Sequence, residues 1–160
     1  MKLYCPDLLP GGFLPTKCMG REVPGGQGVS PALLWSDVPA DVRSFVLTID
    51  DITVSASEQS LWFVSNIPST YREIPTSASI DTGLMPEGAL VLLNSRSQLR
   101  YGGPIVRPGE DPHTIRFRLW ALSIAKMVSG PYTPMDTRIE EITRHLVDGA
   151  SLVALAAQTI

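Results

Sequence analysis

Ser44-Phe45-Val46-Leu47-Thr48-Ile49-Asp50-Asp51 is the stretch on which the fold turns. Its β-branched and aromatic side chains suit a pleated strand, and its apolar run stops abruptly on two carboxylates, where the backbone must surface. Similar runs follow at Leu61-Trp62-Phe63-Val64-Ser65-Asn66-Ile67, closed by Pro68, and at Ala89-Leu90-Val91-Leu92-Leu93. Thr114-Ile115-Arg116-Phe117-Arg118-Leu119-Trp120-Ala121-Leu122 alternates polar and apolar over its first half, the pattern of a strand with one wet face. Ser151 to Ala156 reads as the final strand. The 14 prolines and 13 glycines are spread along the 160 residues, as suits short strands joined by turns.

One segment reads as helix. Thr137-Arg138-Ile139-Glu140 has capping-box spacing, with Thr137 as the cap and Glu140 reaching back. Ile139, Ile142, Leu146 and Val147 recur at helical spacing, and Gly149 is placed to end the helix. Many strands and one late helix predict a mainly β fold of packed antiparallel sheets with a peripheral helix. The length suits one domain over residues 1–160.

Composition narrows the function classes. The hydrophobic fraction of 44% against 18% charged supports a packed core, and a net charge of -3 gives no polyanion-binding surface, so nucleic acid is not expected as a partner. Met1-Lys2-Leu3-Tyr4-Cys5-Pro6-Asp7 lacks the unbroken apolar stretch of a signal peptide. No segment has the length and apolarity to span a membrane, so a cytoplasmic location without membrane insertion is expected. Cys5 and Cys18 are too few for a disulfide scaffold and are expected to be reduced. Neither they nor the distant His113 and His145 have metal-ligand spacing, so no metal and no cofactor are expected. His145 falls late in the helix, where positive charge is favoured, and is expected to be structural.

Taken in order, several segments resemble the phosphatidylethanolamine-binding protein family, especially its short bacterial-type, Raf kinase inhibitor-like members. They are Ser30-Pro31-Ala32-Leu33-Leu34-Trp35 leading into Val38-Pro39, the strand ending at Asp51, Trp62 to Pro68, Tyr101-Gly102-Gly103-Pro104 with His113, and the closing helix and strand. The resemblance implies two antiparallel sheets with a Greek-key element. It also implies a small anion-friendly pocket built from an aspartate, two histidines and the glycine-proline loop. The chain departs from the pattern at the pocket. Asp51-Ile52-Thr53-Val54-Ser55 replaces Asp-Pro-Asp-Ala-Pro, Leu61 stands where the first histidine belongs, Ile105-Val106-Arg107 replaces further prolines, and Thr114-Ile115 follows His113 where Arg-Tyr is usual.

The resemblance therefore points to a drier pocket lined by Asp51, Leu61, Trp62, Gly102, Gly103, Pro104, Arg107 and His113. Asp51 could instead be an ordinary turn carboxylate, and a one-residue slip would exchange it with Asp50. A loop histidine is often structural, but imidazole titrates near neutral pH and suits a pocket donor. Gly102 and Gly103 can turn backbone N–H groups toward an anion or simply make a turn. Trp35 reads as core. Arg107 would be solvated or paired with a ligand carboxylate.

The favoured function is a small-ligand-binding protein adapted to a partly apolar anionic or carbonyl ligand. The alternative is an enzyme using Asp51 and His113 as catalytic acid and base for isomerisation, dehydration or cyclisation, as in natural-product biosynthesis. A protein-interaction regulator ranks third. Family habit and a mean hydropathy of +0.12 lead to the expectation of a homodimer.

Overall fold

The computed structural model describes residues 1–53 and 59–158; Val54 and Ser55 of the departure noted above lie outside the described residues. Five strands form the larger sheet: β3 (Ser44–Asp51), β4 (Gln59–Pro68), β6 (Leu90–Leu92), β7 (His113–Leu122) and β8 (Leu146–Ala156), in the order β6-β4-β3-β7-β8. Every pairing is antiparallel. Strands β3, β4 and β6 follow one another across the sheet and β7 returns to lie beside β3, which is a Greek-key arrangement. The smaller antiparallel sheet holds β1 (Lys2–Tyr4), β2 (Leu33–Ser36) and β5 (Glu73–Ile74), in the order β1-β2-β5.

Burial explains the two kinds of strand sequence. β3 is buried at all eight positions, so apolar side chains stand on both of its faces from Phe45 to Ile49, interrupted only by Thr48. Phe45, Leu47 and Ile49 point into the core between the sheets, while Val46 joins a second cluster on the outer face. β7 has one wet face, and His113, Ile115, Phe117, Leu119 and Ala121 alternate with half-exposed partners. The small sheet closes the main core with Leu3, Leu33, Trp35 and Ile74, where Trp35 meets Phe45 edge-on at 5.4 Å between ring centroids.

The helix α1 spans Met135–His145, so its start differs from the sequence expectation. Thr137 lies inside the first turn and makes no cap; the N-cap position is Pro134, at φ -56, with no side-chain cap. Proline fixes a helix-compatible φ and cannot continue a preceding ladder, and here it overrides the Thr-x-x-Glu pattern. Gly149 does not end the helix either. The chain leaves it at Leu146 and pairs at once with β7, placing Gly149 opposite Trp120 and extending the last strand well before Ser151. His145 is the last helical residue, and its carbonyl accepts from Ser123 N–H.

Among the described residues no helix is long and apolar enough to cross a membrane. Both cysteines are free, with Cys18 fully buried. Burial pushes the Cys5 thiol up to about 11 and that of Cys18 up to about 12. Only the thiolate reacts, so burial makes both thiols less reactive at pH 8 than an exposed cysteine, Cys18 the more so. Iodoacetamide at pH 8 should therefore label the native chain far more slowly than the chain in denaturant, as read by mass spectrometry. Labelling at equal rates would contradict this placement.

Candidate functional site

The alternation of β7 settles which carboxylate faces inward. Asp51 pairs with Ile115, and His113 lies two residues along β7 on the same inner face. Asp51 Oδ2 stands 2.7 Å from His113 Nδ1, and Asp51 Oδ1 accepts from Thr53 N–H at 3.0 Å. Both side chains are buried, Asp51 at 5% exposure and His113 at 8%. Asp50 turns to the outer face, where Arg118 donates to it at 2.9 Å and Arg116 stands at 3.6 Å. Arg118 also stacks 4.7 Å from the centre of the Trp120 ring.

The other ring nitrogen of His113 faces Glu110, with Nε2 3.2 Å from Oε2. Glu110 is exposed and belongs to a turn in which Gly109 takes φ 82. The Arg107 backbone N–H, 2.9 Å from Oε2, holds the Glu110 carboxyl below its ordinary pKa; slight burial opposes this, and His113 adds to the lowering. Sequence reading missed Glu110. The available signal was its place three residues before His113 in a loop closed by a glycine.

Leu61 and Trp62 are both core residues, at 1% and 0% exposure. Successive strand residues share a face here because β4 is irregular between the Ile49–Trp62 and Asp50–Ser60 pairs. Trp62 meets Tyr101 edge-on at 5.9 Å, and the Tyr101 hydroxyl donates to Cys18 O at 2.7 Å. Burial pushes the Tyr101 phenol well up. The Gly102 N–H is engaged with Leu61 O at 2.9 Å, and Pro104 O accepts from Gly20 N–H at 2.9 Å. Tyr101 to Pro104 is thus stitched to β4 on one side and to residues 18–20 on the other.

A cleft of about 280 Å³ opens beside this loop, with walls that include Arg21, Arg96, Arg100, Ser79, Gly102 and Gly103. Of the residues expected to line a pocket, only Gly102 and Gly103 border it; Asp51, Leu61, Trp62, Pro104, Arg107 and His113 do not. The side chain of Arg107 is exposed on the Glu110 turn. Among the described residues, no group of three or more histidine, cysteine or acidic side chains could hold a metal ion.

Comparison with known proteins agrees with this fold. The phosphatidylethanolamine-binding protein family matches residues 6–157, and the chain belongs to that family. Relatives include the UPF0098 protein YbcL of Escherichia coli K12, 35% identical over 64% of this chain and 57% of its own length. Another is a UPF0098 protein of Aquifex aeolicus, 33% identical over 68% of this chain and 65% of its own. The chain thus spans less than two thirds of the length of these two relatives in sequence alignment. UPF0098 protein YbhB of Escherichia coli K12 is 33% identical over 79% of this chain and 81% of its own. In three dimensions the crystal structure of Escherichia coli YbcL superposes with a TM-score of 0.89 at 25% identity, covering 99% of this chain and 98% of that one.

Proposed function

We propose that this chain is a small-ligand-binding protein whose site centres on His113 and takes a partly apolar ligand carrying a carboxylate or carbonyl oxygen. The observation that carries the reading is the asymmetry around the imidazole. On one side the buried Asp51 fixes Nδ1; on the other, Nε2 faces a carboxylate on an exposed turn. A buried partner orients the ring, while an exposed one can swing away and yield its place to a ligand oxygen. Leu61 and Ile115 are core residues where the family pattern has histidine and tyrosine, and this exchange of polar for aliphatic side chains favours a ligand with an aliphatic body over a bare phosphate.

Calorimetric titration with hexanoate and with inorganic phosphate tests this. Hexanoate should bind more tightly than phosphate. Glu110→Gln should strengthen hexanoate binding several-fold by weakening the internal competitor, and His113→Ala should weaken it about tenfold or more, the scale of a lost charge-assisted hydrogen bond. Phosphate binding that ignores His113→Ala, with no response to hexanoate, would sink the reading. The short Asp51–His113 contact also favours a second reading, acid–base catalysis at a carbonyl compound. In that case Asp51→Asn and His113→Ala should each lower turnover about a hundredfold.

A further inference from the structure

The cleft beside Tyr101–Gly103 is a separate binding site: we propose that it takes a small oxyanion carrying at least two negative charges, held by Arg21, Arg96 and Arg100. Three observations support it. First, charge: the chain as a whole carries -3, yet this concave wall gathers three arginines against the single carboxylate of Glu22. Cations grouped in a cleft raise the local potential, and guanidinium groups match carboxylate and phosphate oxygens two at a time.

Second, two of the three arginines, Arg96 and Arg100, sit on a pre-shaped loop. Asn94, 6% exposed, uses its whole side chain to hold that loop. Its Oδ1 accepts from the N–H groups of Arg96 and Gln98 at 2.9 and 3.1 Å, and its Nδ2 donates to Arg100 O and Leu61 O at 3.0 and 3.2 Å. Ser97, at the tip, takes φ 57. A loop fixed in this way presents Arg96 and Arg100 with little ordering left to do on binding.

Third, the wall is cut to fit a guanidinium. Arg96 donates to Gly103 O at 2.9 Å, and a Cβ on Gly102 would stand 2.9 Å from the same guanidinium nitrogen. Glycine at 102 is what admits the Arg96 head to the cleft wall. Arg100 is exposed and lines the same cleft, so its charge is available to a ligand. The volume of about 280 Å³ suits a diphosphate or a small polycarboxylate.

Calorimetry at low salt with pyrophosphate and, separately, with citrate tests the site. At least one should bind with a dissociation constant below about 1 mM. Arg100→Gln, on an exposed position, should weaken that binding about tenfold, and Arg96→Gln should do the same. The distant exposed Arg43→Gln and the site variant His113→Ala should leave it unchanged. Pyrophosphate alone would assign a phosphoryl ligand, citrate alone a polycarboxylate, and either result upholds the site. It is overturned if neither anion binds at 10-fold higher concentration, if Arg43→Gln weakens binding as much as Arg100→Gln, or if His113→Ala removes binding that both cleft variants retain. The last result would also assign the anion to His113, whereas failure of hexanoate to bind there would leave the cleft result standing.

Discussion

Gly103→Ala should cost about 3 kcal/mol of stability, and lower Tm on the order of 10 °C, although it adds one methyl group to a buried turn. A Cβ at 103 would fall on the backbone of Met19 and Gly20 and stand 2.6 Å from Cys18 O. Main-chain atoms cannot rotate aside as a side chain can, so the two segments must separate. Separation breaks the Gly20 N–H to Pro104 O bond and draws the Tyr101 hydroxyl from Cys18 O. Gly102→Ala meets a softer obstacle, the ends of the Arg96 and Asn94 side chains, and should cost less while displacing Arg96 from the cleft. Thermal unfolding of the two variants checks the order. Equal and small losses would mean that the 18–20 segment can yield.

How far these features could be read from sequence depends on how many neighbours each residue needs. The runs of β3, β4 and β7 are visible because local period and apolarity suffice. β1 and β5 have three and two residues, too few for any period to show. The choice between Asp50 and Asp51 was hidden because β3 is buried on both faces and has lost its alternation; the phase came from β7, where His113 keeps step with Ile115 and Phe117. The helix start was masked by a capping pattern at Thr137 that Pro134 overrides, and the start of β8 by a glycine that looked like a helix stop. Arg21 lies far in sequence from Arg96 and Arg100, and joins them only through the folded loop beside Gly103.

The helix read as amphipathic from Ile139 and Ile142 is also held by charge, and this gives the second large effect. Glu141, 3% exposed, accepts from Val128 N–H at 2.6 Å, from Ser129 N–H at 2.9 Å and from the Ser129 hydroxyl at 2.6 Å. One turn earlier, Arg138 donates to Thr133 O, Leu93 O and Pro131 O and lies 4.9 Å over the Phe63 ring, tying the helix to the larger sheet. Glu141→Ala leaves buried Ser129 donors unpaired and should cost about 3 kcal/mol; Glu141→Gln, which keeps an acceptor, should cost about half as much. Burial pushes the Glu141 carboxyl up, but the bonds from Ser129 and Val128 outweigh it and hold the group below its ordinary value. A carboxyl depressed by folding contributes stability above its unfolded pKa of about 4.3, and that contribution is lost as pH falls through the lower folded value. Denaturant unfolding at pH 7 and at pH 3 should therefore show the gap between wild type and Glu141→Gln narrowing in acid. A gap that stays constant would mean that the Glu141 charge is not what anchors residues 128 and 129.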